Sequence, residues 1–332
     1  MKKIFSMALM FIFLAIALCS CGSKESKVTK VTLNEVAHSI FYAPMYVAIE
    51  DGYFEEEGIE INLVNGSGAD NVMTSLISGD ADIGFMGPES TIYVNNEGSS
   101  KLAVNFAQLT QRAGNFLVSR EPVDDFKWDD LKGSTVIGGR AGGMPQMIFE
   151  YILKQNNIDL ENDLTIIQNI DFGITAEAFA GGTGDYTVEF EPFATSLEEH
   201  GSGYVIASLG VDSGYVPYTC FSALESYIDK NPDIIESFTR SIQKGLNYVN
   251  SHTSEEIAKI IQPQFAETDY ETLVAIIERY REQNTWKTEC VFEEDSFELL
   301  QDILDEAGQL SQRADYGTLV NTEFAKKVKS EQ

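Results

Sequence analysis

Three strand-to-helix turns near the start of the chain hold the residues with the most chemical promise: Ser39-Ile40-Phe41-Tyr42-Ala43-Pro44, Gly66-Ser67-Gly68-Ala69-Asp70 and Gly87-Pro88-Glu89. Phe41 and Tyr42 fall before Pro44 at a helix start, where a side chain faces a crevice and offers a flat stacking surface; a place in the core is the competing reading. Gly66, Ser67 and Gly68 are small enough to let backbone N–H groups face a ligand at the next helix start, or they form only a tight turn. Glu89 sets a carboxylate at a helix N-terminus, where it either caps the helix or recognises a cation. Gln111 and Arg112 follow a fourth strand, within reach of an anionic or carbonyl group or else exposed at the surface. The run Gly139-Arg140-Ala141-Gly142-Gly143-Met144 repeats the design, so Arg140, Gly142, Gly143 and Met144 are candidates for an opposite wall. Ser39, Phe190 and Glu191 complete the candidate set.

No catalytic constellation is visible among these residues. An enzyme of this length needs a nucleophile with its base and orienter, or a cofactor fingerprint. The Gly139–Gly143 run lacks the Lys-Ser/Thr ending of a phosphate-binding loop and the Gly-x-Gly-x-x-Gly spacing. Glu189 and Glu191 match a carboxylate pair only by type, because a strand position followed by Pro192 reads as hinge or rim. His38, His200 and His252 are far apart and no Cys or His stands at ligand spacing, so neither a metal nor a cofactor is expected.

The elements that position these loops follow from periodicity. Val31–Val36 alternates as a strand, and a helix through Met45–Glu50 ends at Gly52. Ile59–Val64 is a second strand, and Ile83–Met86 is a third that reads as buried, before Pro88 opens a helix. In an open α/β sheet, loops at the carboxyl ends of the strands converge on one crevice. Strands are expected at Leu102–Leu109, Gly114–Arg120, Thr135–Gly138, Leu164–Gln168, Tyr186–Phe190 and Tyr204–Ala207, and Tyr215–Thr219 should carry the chain back. From Asn231 the pattern is helical.

Phe41-Tyr42-Ala43-Pro44, Gly52-Tyr53-Phe54 with its acidic tail and Gly58, Gly66-Ser67-Gly68, and Ser78-Gly79-Asp80-Ala81-Asp82-Ile83 resemble the first lobe of solute-binding proteins of ABC importers. The branch is the NMT1/THI5-like and SsuA-like one, which groups nitrate, sulfonate and taurine receptors with thiamine-pyrimidine precursor receptors. Gly182, Asp185, Glu191 and Pro192 match its Gly-x-x-Asp…Glu-Pro segment. The resemblance implies an α/β, two-lobed, periplasmic-binding-protein-like (type II) fold with a ligand crevice between the lobes. Residues 31–115 plus 216–332 would form lobe 1 and residues 116–215 lobe 2. It also implies a monomeric receptor whose partners are a small-molecule solute and the permease transmembrane subunits. The cysteine-rich cluster of the related pyrimidine-synthesising enzymes is missing. Arg112 and Arg140 are the basic residues expected in the crevice, against Phe41, Tyr42, Phe172, Tyr186, Phe190, Tyr215 and Tyr218 as stacking surfaces. That balance favours an aromatic heterocycle, such as a thiamine-pyrimidine precursor, over a sulfonate, taurine or nitrate. An enzyme of the same fold and an extracellular interaction protein are the non-transport alternatives.

Lys2-Lys3, the apolar run Ile4–Leu18 and the small residues after it describe a signal peptide over residues 1–20. Leu18-Cys19-Ser20-Cys21 resembles a lipobox, which would make Cys21 the lipid-modified first residue and residues 21–30 a tether at the outer face of the cell membrane. Loss of Lys2 and Lys3 takes the net charge from −29 to about −31, which argues against nucleic acid as a partner. Cys220 and Cys290 remain, either as a disulfide or as two buried thiols.

Overall fold

The computed structural model of the chain describes residues 28–171 and 173–331. The proposed leader, Cys21, most of the tether and Phe172 lie outside the described residues. Two five-stranded mixed sheets form the framework. The near sheet contains β1 (Thr29–Glu35), β2 (Ile59–Asn65), β3 (Ile83–Met86), β4 (Ala103–Thr110) and β10 (Thr219–Leu224), in the order β2-β1-β3-β10-β4. The far sheet contains β5 (Asn115–Ser119), β6 (Thr135–Ile137), β7 (Thr165–Ile167), β8 (Tyr186–Phe190) and β9 (Tyr204–Ser208), in the order β7-β6-β8-β5-β9. β1 runs parallel to β2 and β3, and β6 parallel to β7 and β8.

Each sheet admits one antiparallel strand next to its edge. β5 enters the far sheet between β8 and β9, and β10 enters the near sheet between β3 and β4. Both are the first strand after the chain passes from one sheet to the other, through residues 111–114 and 213–218. The strand β10 is not among the expected elements: the segment expected to carry the chain back ends at Thr219, and residues 220–224 are assigned no element there.

The near-sheet strands are covered by helices on both faces, which is why β3 and β4 are buried at every position and carry no polar alternation. The helix Pro232–Ser251 packs against the helix Ala43–Glu50 that opens at the first crevice loop. Gly245 permits that approach: a Cβ there would stand 2.1 Å from the carbonyl oxygen of Pro44. Gly245→Ala should therefore push the helices apart and cost about 1–3 kcal/mol, the usual penalty for overpacking. Denaturant melts would measure it, and an unchanged midpoint would mean that this contact is slack.

Cys220 and Cys290 are both buried and free. Burial raises both thiols, that of Cys290 to about 12, so neither is reactive at neutral pH. Among the described residues, no helix is long and apolar enough to cross a membrane, and no group of three or more His, Cys, Asp or Glu is placed to hold a metal ion.

Candidate functional site

The carboxyl ends of the parallel strands in both sheets face one another across a cavity of about 490 Å³. Tyr42, Gly68, Gly87 and Glu89 line its near wall, and Arg140, Gly142, Gly143, Met144 and Phe190 its far wall. Sequence reading thus placed nine residues at a common cavity.

Glu89 begins the helix Glu89–Asn96 and is 2 % exposed. Its Oε2 has no hydrogen-bond partner among the described residues. Burial in a space walled by Tyr42, Tyr93 and Tyr218 pushes the carboxyl up to about 8, opposed only by a bond from its own backbone N–H. The side chain folds back over Gly87, where a Cβ would stand 2.0 Å from Oε2. Gly87 is therefore a seat for the carboxylate.

Glu189 occupies the far wall and is also 2 % exposed. Thr187 donates a 2.6 Å hydrogen bond to its Oε1 and Thr175 a 2.9 Å bond to its Oε2. These bonds hold it down less than burial raises it, and its carboxyl is pushed up to about 7. The reading of Glu189 as hinge or rim is corrected: at the end of β8 it lines the cavity together with Val188 and Phe190. Asn115, the first residue of β5, was also missed. Its Oδ1 accepts a 2.6 Å bond from the Tyr218 hydroxyl, while its Nδ2 has no partner among the described residues. Tyr93 stands one turn beyond Glu89, and its hydroxyl donates to the carbonyl of Gly142 at 3.3 Å, joining the two walls.

Arg140 donates to Asp70 at 2.9 Å, a pair that also spans the crevice. This contact holds the Asp70 carboxyl below its ordinary range. Both side chains are about half exposed, so the pair contributes little stability. In the far-wall loop the residues that need to be glycine are Gly139, at φ +91°, and Gly142, at φ +82°, and not Gly143, which has ordinary space for a Cβ.

Other candidates lie elsewhere, for identifiable reasons. Phe41 is fully buried among Tyr42, Phe190, Tyr218 and Tyr280, with its ring against Gly114; the core reading holds for it. Ser39 is buried, and its hydroxyl donates to the Glu191 carbonyl at 2.8 Å. In the second loop, the N–H groups of Gly66, Ser67 and Gly68 go to the Glu35 carbonyl, Asn65 Oδ1 and the Val36 carbonyl, so none is left for a ligand. Gly66 instead lets Asn34 and Val72 approach. Pro88 caps its helix, outside the lining. Gln111 donates to the carbonyls of Asn284 and Trp286. Arg112 donates to the Gly210 carbonyl at 2.8 Å and lies 4.1 Å over the Tyr215 ring. Neither reaches the cavity, and Tyr186 and Tyr215 do not line it either. Glu191 is wholly buried below the cavity; Arg279 donates to its Oε1 and the Thr195 N–H to its Oε2.

Two mixed α/β sheets with a crevice between them make a periplasmic-binding-protein-like type II fold. The same fold is seen in the nitrate-binding protein NrtA of Synechocystis PCC 6803, with a TM-score of 0.75, 14 % identity, and 92 % of this chain and 89 % of that one covered. It is seen again in the alkanesulfonate-binding protein SsuA of Xanthomonas axonopodis pv. citri, with a TM-score of 0.71, 14 % identity, and 88 % and 98 % covered. Within this fold the chain belongs to the NMT1/THI5-like family, whose profile matches residues 40–256. It is also 47 % identical over 320 residues, 96 % of each chain, to YtlA of Bacillus subtilis (strain 168), which carries a binding-protein designation.

Proposed function

We propose that this protein is the extracytoplasmic receptor of an ABC importer, a non-enzymatic lipoprotein held by Cys21. It would capture a small solute by hinge closure and deliver it to the permease. The observation that carries this reading is the cavity of about 490 Å³ whose lining comes from both lobes, because a solute that touches both walls stabilises the closed form. The favoured solute is an aromatic heterocycle. Arg112 is outside the cavity and Arg140 is committed to Asp70, so among the described residues no uncommitted basic side chain lines the space to hold a sulfonate or nitrate. The second reading, an enzyme of the same fold, has less support because no Cys or His lines the cavity among the described residues.

Thermal melts with pyrimidine and sulfonate panels, with each compound assayed before and after incubation, test the proposal. A bound solute should raise stability by about 2.7 kcal/mol at a hundredfold excess over Kd and be recovered unchanged. Steady conversion of a bound compound would make the protein an enzyme.

A further inference from the structure

The hydrogen-bond partners of His38 fix its charge. Its Nδ1 lies 2.8 Å from Glu35 Oε1, and its Nε2 lies 2.9 Å from the carbonyl oxygen of Gln264. A backbone carbonyl only accepts, so Nε2 holds a hydrogen. The Tyr46 hydroxyl, 3.2 Å from Nδ1, spends its own hydrogen on the shorter 2.6 Å bond to Glu35 Oε2. One more proton is needed between Nδ1 and Oε1, where two lone pairs would otherwise meet. Imidazole is the stronger base of that pair by about two pH units, so the proton belongs to the ring, which then carries both hydrogens and a positive charge. Glu35 is 1 % exposed, and among the described residues no Lys or Arg pairs with it. His38 is therefore the counter-charge of a buried carboxylate.

This charge sits behind the near wall of the cavity. Val36, Ala37 and Tyr42 of the lining all belong to the segment between β1 and the helix Ala43–Glu50. Glu35 ends β1, Tyr46 stands on that helix, and Gln264 lies 226 residues from His38 in the turn Gln262–Phe265. The ring of His38 stacks on Phe265 at 4.8 Å and meets Tyr46 edge-on at 5.1 Å. We propose that the His38 imidazolium is a positioning residue of the first crevice loop: it fastens residues 36–42 to β1 and to the Gln262–Phe265 turn at once, and loss of its proton releases one of the two. A neutral ring has a single N–H, so it serves Glu35 or Gln264 but never both. The other groups facing the ring do not titrate with it. Burial pushes the Tyr42 and Tyr46 phenols well above their ordinary range. Gln264 offers the ring its carbonyl while its amide donates to Glu50, and Phe265 is uncharged. The hydrogen bond to Glu35 outweighs burial and raises His38 above its ordinary 6.5. The fastening is therefore whole below about pH 6.5 and is lost as pH climbs through the folded value. It is the same whatever the cavity binds.

Nitrogen-15 histidine NMR of the solute-free protein reads the protonation state directly, with His38→Gln assigning the signals. At pH 7, where free histidine is about three-quarters neutral, both His38 ring nitrogens should be protonated. A single neutral tautomer at that pH overturns the proposal. Trp286 reports on the loop, because its Nε1 donates to the Phe41 carbonyl at 2.8 Å, and Trp128→Phe leaves it the sole tryptophan. Its emission in that variant should shift with the same midpoint as the His38 nitrogens, and the shift should vanish when His38→Gln is added. Flat emission while His38 titrates, or an unchanged shift in the His38→Gln protein, would overturn the positioning role. If His38→Gln does not fold, the two midpoints in the histidine-bearing protein decide alone: agreement supports the proposal and discordance overturns it.

Discussion

Arg279→Ala should destabilise the protein by roughly 3–5 kcal/mol, the range for breaking a buried ion pair from one side. Glu191 is wholly buried, and after the substitution Thr195 would be the only residue left donating to its carboxylate among the described residues. The guanidinium is 32 % exposed, so water would enter part of the vacated space and favour the low end of that range. Burial already raises the Glu191 carboxyl against the pull of Arg279; without the guanidinium it would rise further and take up a proton. Removing the charge should therefore rescue: Glu191→Gln in the Arg279→Ala background should recover much of the loss. Guanidinium melts of the two single variants and the double variant make a cycle. If the double variant is no more stable than Arg279→Ala, the loss comes from packing against Phe116, which lies 5.2 Å from the guanidinium.

Without solute, the protein should become less stable as pH rises from about 5 to about 8. The Glu89 and Glu189 carboxyls are raised from an ordinary 4.5 to about 8 and about 7 by burial. The folded protein therefore binds protons that the unfolded chain releases. This contribution is whole below about pH 4.5 and is lost as pH climbs through 7 and 8. At about 1.4 kcal/mol per pH unit, Glu89 alone carries up to about 4–5 kcal/mol of this change. Urea melts at several pH values, wild type against Glu89→Gln, isolate that share from the general repulsion of a strongly acidic chain. Parallel curves for the two proteins would show that Glu89 is hydrated and ionised in the folded state.

The sequence revealed the parts of the fold that are local. Alternation in Val31–Val36 and Ile59–Val64, punctuated by Gly52, Gly58 and Gly79, marks strand, loop and helix without reference to the rest of the chain. The strand β10 was hidden because Thr219–Leu224 has neither alternation nor bounding turn residues, and its two partners are distant in sequence. The same division separates the site residues. Tyr42, Glu89, Arg140 and Gly142 were legible because their loops end strands, and strand ends define the crevice. Phe41 and Arg112 were not, because the direction of each side chain is decided by groups on remote segments, Tyr280 and Gly114 for one, Tyr215 and Gly210 for the other. Glu189 was discounted on the strength of the proline that follows Glu191, although Thr187, two residues back on the same face of the strand, was the available sign of a buried carboxyl.

The placement of β10 also dictates an order of completion during synthesis. β4 is buried along its whole length, and its strand partner, β10, arrives 109 residues later at the Thr110–Thr219 contact. The bridges from β4 to Trp286 and Val320 come later still. All five strands of the far sheet, by contrast, lie within residues 115–208. A chain emerging amino end first can therefore finish the far sheet while β3 still has an open edge and β4 has no sheet to join. In that interval the nascent protein carries an unpaired edge along the apolar strand β3, the kind of surface that recruits stray strands. Its greatest exposure to aggregation falls before residues 219–224 are made and ends when they dock.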